Sequence, residues 1–217
     1  DPVSEDGVAG FGAAPMAFRP DGSALAFGYP GEVQVHDMTK RRTAGARLAR
    51  QPPPPLPDED EDIDNLPTSL KGALTGITTS LTYSRDGSLL IAGDSNGVTQ
   101  MWDLSTSATR RTLTSVRSRS PIRSISFDAH AGALVTTDAT ATATLWQVAP
   151  TGAPAPLAEV TVPRERAEVT AFRPDGRSLV VAGSSGTAHT WTVADPARPV
   201  RGAGLTLHSG PVRAVAI

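Results

Sequence analysis

The chain has 217 residues, 39% of them hydrophobic but only 5% aromatic, with 20 Gly, 19 Pro, no Cys and a net charge of −2. The lack of Cys rules out disulfides, thiolate metal sites and a cysteine nucleophile, and the small net charge gives no global field favouring nucleic acid or an anionic membrane. No apolar run approaches the roughly 18 residues of a membrane-spanning helix, and the Gly and Pro content points to many turns around a core of Ala, Val, Leu and Ile.

The chain opens at Asp1 on a glycine-rich stretch, Gly7-Val8-Ala9-Gly10-Phe11-Gly12. That stretch precedes a strand pattern and not a helix, so it lacks the helix N-terminus that would hold a phosphate. The first strand unit follows from Ala13 to Met38, reading AAPMAF-RPDG-SALAFGYPGEVQVHDM. Its first strand closes on an aromatic, a Gly-containing turn follows, and two further strands come after. The Asp21-Gly22 pair suits the positive φ of a hairpin turn.

Next comes Gln51-Pro52-Pro53-Pro54-Pro55-Leu56-Pro57, then Asp58-Glu59-Asp60-Glu61-Asp62-Ile63-Asp64. Prolines favour an extended backbone and like charges repel, so residues 51–74 are expected to form a disordered excursion between units. Asp58, Asp60 and Asp62 alternate as in a calcium loop, but Ile63 stands where Gly is needed and Ser69 where Glu is needed. Basic residues cluster at Lys40-Arg41-Arg42 and across Arg110, Arg111, Arg117, Arg119 and Arg123. They read as solvated loops and outer strands, or as a docking patch. Few aromatics interleave with them, which argues against nucleic acid.

Three more units follow: Thr78 to Leu104, Ile122 to Val148, and Glu168 to Val193. Their second strands are almost continuously apolar, as Leu89-Leu90-Ile91-Ala92 and Leu179-Val180-Val181-Ala182 show, which suits a strand between packed sheets. Their third strands bear Trp102, Trp146 and Trp191, where the first unit has His36. Weaker fourth strands are expected at Arg110 to Thr114, Leu157 to Val162 and Val200 to Leu207. A fifth unit begins with Pro211-Val212-Arg213-Ala214-Val215-Ala216-Ile217 and stops inside that strand, so the chain reads as a segment of a longer polypeptide.

The anchoring aromatics Phe18, Tyr83, Phe127 and Phe172 are separated by 65, 44 and 45 residues. A period of about 40–45 residues with several strands per unit predicts an all-β fold, a β-propeller of four-stranded antiparallel blades. The expected blades cover residues 11–50, 76–116, 121–163 and 166–207, with 208–217 starting another. Four and a fraction blades leave open edges, so further repeats are expected to complete the ring.

These units resemble WD (tryptophan–aspartate) repeats of a bacterial type. The resemblance rests on Met101-Trp102-Asp103, Leu145-Trp146-Gln147, the aromatic-x-Pro-Asp-Gly turns, and Leu207-His208-Ser209-Gly210-Pro211-Val212, which is similar to the family's Gly-His opening. A bacterial six-bladed propeller family with a similar Pro-Asp-Gly turn is the rival assignment. The family commonly places an Asp before the Gly of the second turn, where this chain has Pro30, Asn96, Thr140 and Ser185. The blades are therefore expected to rely on apolar packing, with Trp102, Asp103, Trp146, Trp191 and His208 as structural residues.

The resemblance implies seven blades, and a non-enzymatic interaction scaffold or sensor in a larger bacterial regulatory protein, cytoplasmic and bound to protein partners. It also implies that the acidic tract links one blade to the next and overhangs the partner face. The alternatives are an enzyme with a site in the central channel, or a periplasmic binding propeller. Neither a cofactor nor a metal is expected, since His36, His130, His189 and His208 lack a metal-binding spacing. Candidate partner contacts are Tyr29, Asp94, Asn96, Arg119, Arg123, Arg164, Arg166 and Arg213, expected on one face.

Overall fold

The computed structural model describes residues 14–39, 68–105, 111–118, 120–128, 132–140, 142–148, 154–162, 165–206 and 208–215. Among these residues every regular element is a strand. The first blade comprises β1 (Met16–Phe18), β2 (Ala24–Tyr29), β3 (Glu32–Asp37) and β4 (Thr68–Lys71); the second β5 (Thr78–Tyr83), β6 (Leu89–Asp94), β7 (Val98–Asp103) and β8 (Arg111–Arg117). The third comprises β9 (Ile122–Asp128), β10 (Ala133–Asp138), β11 (Thr142–Gln147) and β12 (Ala155–Thr161); the fourth β13 (Ala167–Phe172), β14 (Ser178–Gly183), β15 (Thr187–Thr192) and β16 (Val200–Thr206). Each blade is an antiparallel four-stranded sheet in chain order. Inner strands β1, β5, β9 and β13 stand side by side in succession, and the four sheets do not close into a ring.

The first turns behave as the Asp-Gly pairs require. Gly22, Gly87 and Gly176 take φ of 73, 70 and 68°, a region open to Gly because it has no Cβ. The preceding Asp side chain accepts the amide two residues on, at Ser23, Ser88 and Arg177, which closes the turn locally.

Blades pack large against small. In the first interface Ala17, Ala24, Ala26, Val33 and Val35 receive Leu81, Tyr83, Leu90 and Trp102 from the second blade. The third blade meets the fourth through Val135, Ala143, Leu145 and Val160 against Leu179, Val181, Trp191 and Phe172. Strands covered on both faces lose the apolar–polar alternation, and β6 is buried along nearly its whole length.

Between neighbouring inner strands, serine hydroxyls take the place of a backbone ladder. Ser80 Oγ accepts the amide of Ile125 at 3.1 Å, Ser124 Oγ that of Thr170 at 3.1 Å, and Ser126 Oγ that of Phe172 at 3.0 Å. The small polar residues of the first strands therefore have a structural use that the alternation pattern alone does not reveal.

The structure differs from the sequence expectation at the proline-rich and acidic tract. Residues 68–71, expected within a disordered excursion spanning 51–74, form β4, the outer strand of the first blade. They pair with β3 from Val35↔Thr68 to Glu32↔Lys71, and Leu70 is buried in the core. The first blade thus ends at Lys71, beyond the expected limit at residue 50. The connection joins β3 to β4 inside one blade and does not link two blades. Antiparallel neighbours reverse direction, so the ends of β3 and β4 that flank this connection lie on the side of the Asp21-Gly22 turn. That is the side away from the second turns. The tract itself lies outside the described residues.

At the other end, residues 208–215 run over the far face of the fourth blade. Val212 and Val215 pack with Val169, Val180, Ala182 and Ala188. The opposite limit is open. Ala17 packs inward, whereas Met16 and Phe18 on the other face of β1 are 57% and 61% exposed. Phe27 and His36 lie on that same face, with ring centroids 5.3 Å apart in an edge-on contact. An exposed apolar sheet face of this kind associates. The isolated 217-residue chain is expected to self-associate with rising concentration in sedimentation, and Met16→Lys with Phe18→Glu to shift it towards monomer.

Candidate functional site

The second turns and the segments leading into the inner strands share one rim of the blades. Its architecture rests on a repeated problem, the backbone amide two residues after the end of the second strand, which faces inward without a partner in the ladder. In the second blade that amide belongs to Asn96, and Asp94 Oδ1 accepts it at 2.9 Å together with Val98 N at 2.8 Å. Asp94 Oδ2 accepts Thr75 N at 3.0 Å and Gly76 N at 2.9 Å. The carboxylate is 0% exposed and ties the turn to the segment entering β5. In the third blade Asp138 Oδ1 accepts Thr140 N at 2.9 Å. In the first blade the residue is Gly31, whose amide donates to Gly76 O at 3.0 Å in the segment entering β5, so no carboxylate is needed.

The fourth blade solves it from elsewhere. Gly183 occupies the place of Asp94, and a Cβ there would strike the carboxylate of Glu165. Glu165 supplies the missing acceptor: its Oε2 takes Ser185 N at 2.8 Å and the Ser185 hydroxyl at 2.5 Å. Its Oε1 lies 3.1 Å from His189 Nε2, with both side chains buried. Arg201 Nη2 stands 3.2 Å from His189 Nδ1. A guanidinium only donates, so Nδ1 is the acceptor and Nε2–H donates to Glu165.

Burial raises the carboxyl pKa of Glu165, yet the hydrogen bonds from the Ser185 hydroxyl and amide and from His189 outweigh it. The net shift is below the usual glutamate range. A depressed carboxylate contributes stability above its unfolded value, about 4.3, and loses it as pH falls through the folded one. The melting-temperature gap between wild type and Glu165→Gln is therefore expected to be wide at neutral pH and to narrow on acidification below about 4.

Serines repeat on the same rim. Ser95 Oγ accepts Ile77 N at 3.0 Å while Ser95 N donates to Ile77 O at 2.8 Å. Ser184 Oγ accepts Arg166 N at 3.2 Å while Ser184 N donates to Arg166 O at 3.0 Å. Ile77 and Arg166 are thus equivalent display positions, each held by backbone bonds and each presenting its side chain to solvent. Ile77 is 48% exposed and Tyr29, at the end of β2, is 40% exposed. Thr78 Oγ1 donates to Tyr29 O at 2.8 Å, which joins these two neighbours across the blade seam.

Of the expected contact residues, Tyr29, Asn96, Arg123, Arg166 and Arg213 lie exposed on this rim. Asp94 lies on it too but is buried beneath it, a strut and not a surface group. Four amides converge on its oxygens, which leaves nothing for a partner. Arg119 and Arg164 lie outside the described residues. Arg123 Nη1 is 3.2 Å from Glu168 Oε2, and Arg166 Nε is 3.6 Å from Glu168 Oε1. Ile77 escaped the sequence reading, although it stands at the same point of its repeat as Arg166.

The third-strand tryptophans are in related settings. Trp102 is buried and donates to Lys71 O at 3.2 Å; Trp146 is half-buried and donates to Thr136 Oγ1 at 2.9 Å; Trp191 is buried 6.0 Å from the His189 ring. Asp103 Oδ1 accepts Ser105 N at 2.8 Å, closing the end of β7. His208 is exposed, and its Nδ1 accepts Gly210 N at 3.2 Å. Among the described residues no three His, Asp or Glu side chains gather to hold a metal ion, and no helix is long and apolar enough to cross a membrane. His130 lies outside the described residues.

Residues 65–103 match the WD40 family, described as WD domain, G-beta repeat. The match runs from just before β4 to the end of β7, so it takes in the outer strand of one blade and three strands of the next. No curated protein matches the chain by sequence. Among solved structures it is similar to a chain of the crystal structure of the mitotic checkpoint complex, with a TM-score of 0.68 and 16% identity, over 94% of this chain and 54% of that one. The chain thus spans about half the length of that protein. At such identity the likeness shows the fold: a WD40-type β-propeller arrangement, with a WD repeat at residues 65–103.

Proposed function

We propose that the chain is a non-enzymatic interaction module whose partner is a protein bound at the rim of the second turns. The observation that carries this reading is the pairing of stiff backbone with displayed side chains. Carboxylate caps and serine staples fix the turns, while Tyr29, Ile77, Asn96, Arg123, Arg166 and Arg213 stay exposed above them. Side chains on pre-ordered backbone lose little entropy on binding, and Tyr and Arg are the residue types that most often carry interface energy. Among the described residues, Arg123 and Glu168 at the inner-strand ends are engaged with each other, which favours the interaction reading over channel chemistry. The same proposal makes the protein part of a larger bacterial regulatory protein in the cytoplasm, a setting that the resemblance to bacterial WD-repeat proteins implies.

The test places a photo-crosslinking residue at Tyr29 or Ile77 on the rim, and at Asp175 or Arg177 on the opposite side, within the intact protein in its native host. Crosslinks to one protein from the rim positions alone are the expected result. Crosslinks from the opposite side alone would remove the reading.

A further inference from the structure

We propose that the rim takes an acidic, extended peptide segment, with carboxylates paired to Arg123 and Arg213 and an apolar side chain set on Ile77. This inference rests on the rim being the partner face and adds the chemistry of the partner. The second residues of β5, β9 and β13 stand at the same level: Thr79, Arg123 and Glu168. Arg213 follows Glu168 at the 45-residue spacing that separates Arg123 from Glu168.

The charges at this level do not balance. Glu168 serves two guanidiniums at once, those of Arg123 at 3.2 Å and Arg166 at 3.6 Å. Its side chain is 13% exposed, whereas those of Arg123 and Arg166 are 38% and 60% exposed. Arg213 is exposed and makes no ion pair among the described residues. Three arginines thus face one carboxylate. A guanidinium has five donors in a rigid fork and binds a second carboxylate without giving up the first. Arg123 on β9, Arg166 just before β13 and Arg213 in the 208–215 segment are spread along the rim, and Arg123 and Arg166 already meet at Glu168, so a single small anion does not span all three. A chain of spaced carboxylates meets several. Ile77 and Tyr29, on the neighbouring blades of the same rim, offer the apolar seat.

In this arrangement the charge of Glu168 partly neutralises Arg123 and Arg166 and repels the ligand's carboxylates, which sets a sign that a merely structural cluster would not show. The probe is a fluorescently labelled short peptide of alternating Leu and Glu, with a Leu/Gln peptide as control, titrated by anisotropy into the intact protein. The Glu peptide is expected to bind about tenfold more tightly than the Gln peptide. Arg213→Gln, which breaks no ion pair among the described residues, is expected to weaken it several-fold with no change in melting temperature. Glu168→Gln is expected to strengthen it. Equal binding of the two peptides, no gain from Glu168→Gln, or binding of inorganic phosphate in place of the peptide would each overturn the proposal. Rim crosslinks to a partner alongside a failed peptide titration would remove the acidic chemistry and leave the partner face standing; absent crosslinks would remove both.

Discussion

Asp94→Ala is expected to destabilise the intact protein by about 3–5 kcal/mol, the largest single effect of any rim substitution. Four backbone amides, on Thr75, Gly76, Asn96 and Val98, lose their acceptor at once. The site is fully buried, so water does not replace the carboxylate without opening the turn. For a chain of this size the loss corresponds to roughly 10 °C in melting temperature, read by circular dichroism. Asp94→Asn is expected to cost about half as much. One oxygen would keep the Asn96 and Val98 amides, while its NH2 group would confront those of Thr75 and Gly76. A variant that melts like wild type but loses its partner would show that the carboxylate is a contact after all.

The second large effect is a pair that reverses sign. Glu165→Ala removes the acceptor of Ser185 N and strands His189, for a cost of about 2–4 kcal/mol. Gly183→Asp alone forces a second carboxylate into the space held by Glu165, and is expected to cost about 2–3 kcal/mol. Together they rebuild in the fourth blade the arrangement that Asp94 makes in the second. The double variant is expected to be more stable than Glu165→Ala by about 1–2 kcal/mol, a coupling well outside additivity. Chemical denaturation of the four proteins closes the cycle, and simple addition of the two penalties would refute the equivalence of Asp94 and Glu165.

Much of the fold was legible because a propeller is repetitive. The aromatic anchors, the Asp-Gly turns and the apolar second strands each recur in register, so local chemistry alone locates most of the strands. The outer strand Thr68–Lys71 was not legible. It has a single apolar residue, Leu70, and is held by backbone pairing to β3 across the proline-rich and acidic tract. The rim was half legible. Tyr29, Arg123 and Arg166 lie where the repeat placed them, but Asp94 is exposed in a sequence reading and buried in the fold.

Periodicity and turn chemistry in the sequence decided that this chain makes four antiparallel sheets with glycine-ended hairpins, because those signals are local and repeat. Tertiary structure alone decided which side chain caps each second turn. Acceptors are interchangeable in role and not in position, so Glu165 replaces an aspartate from 20 residues away in the chain. It does so because the segment entering β13 passes beside the β14–β15 turn. The face from which the proline-rich and acidic connection departs was likewise decided by pairing across the sheet, where strand direction, not composition, sets the side.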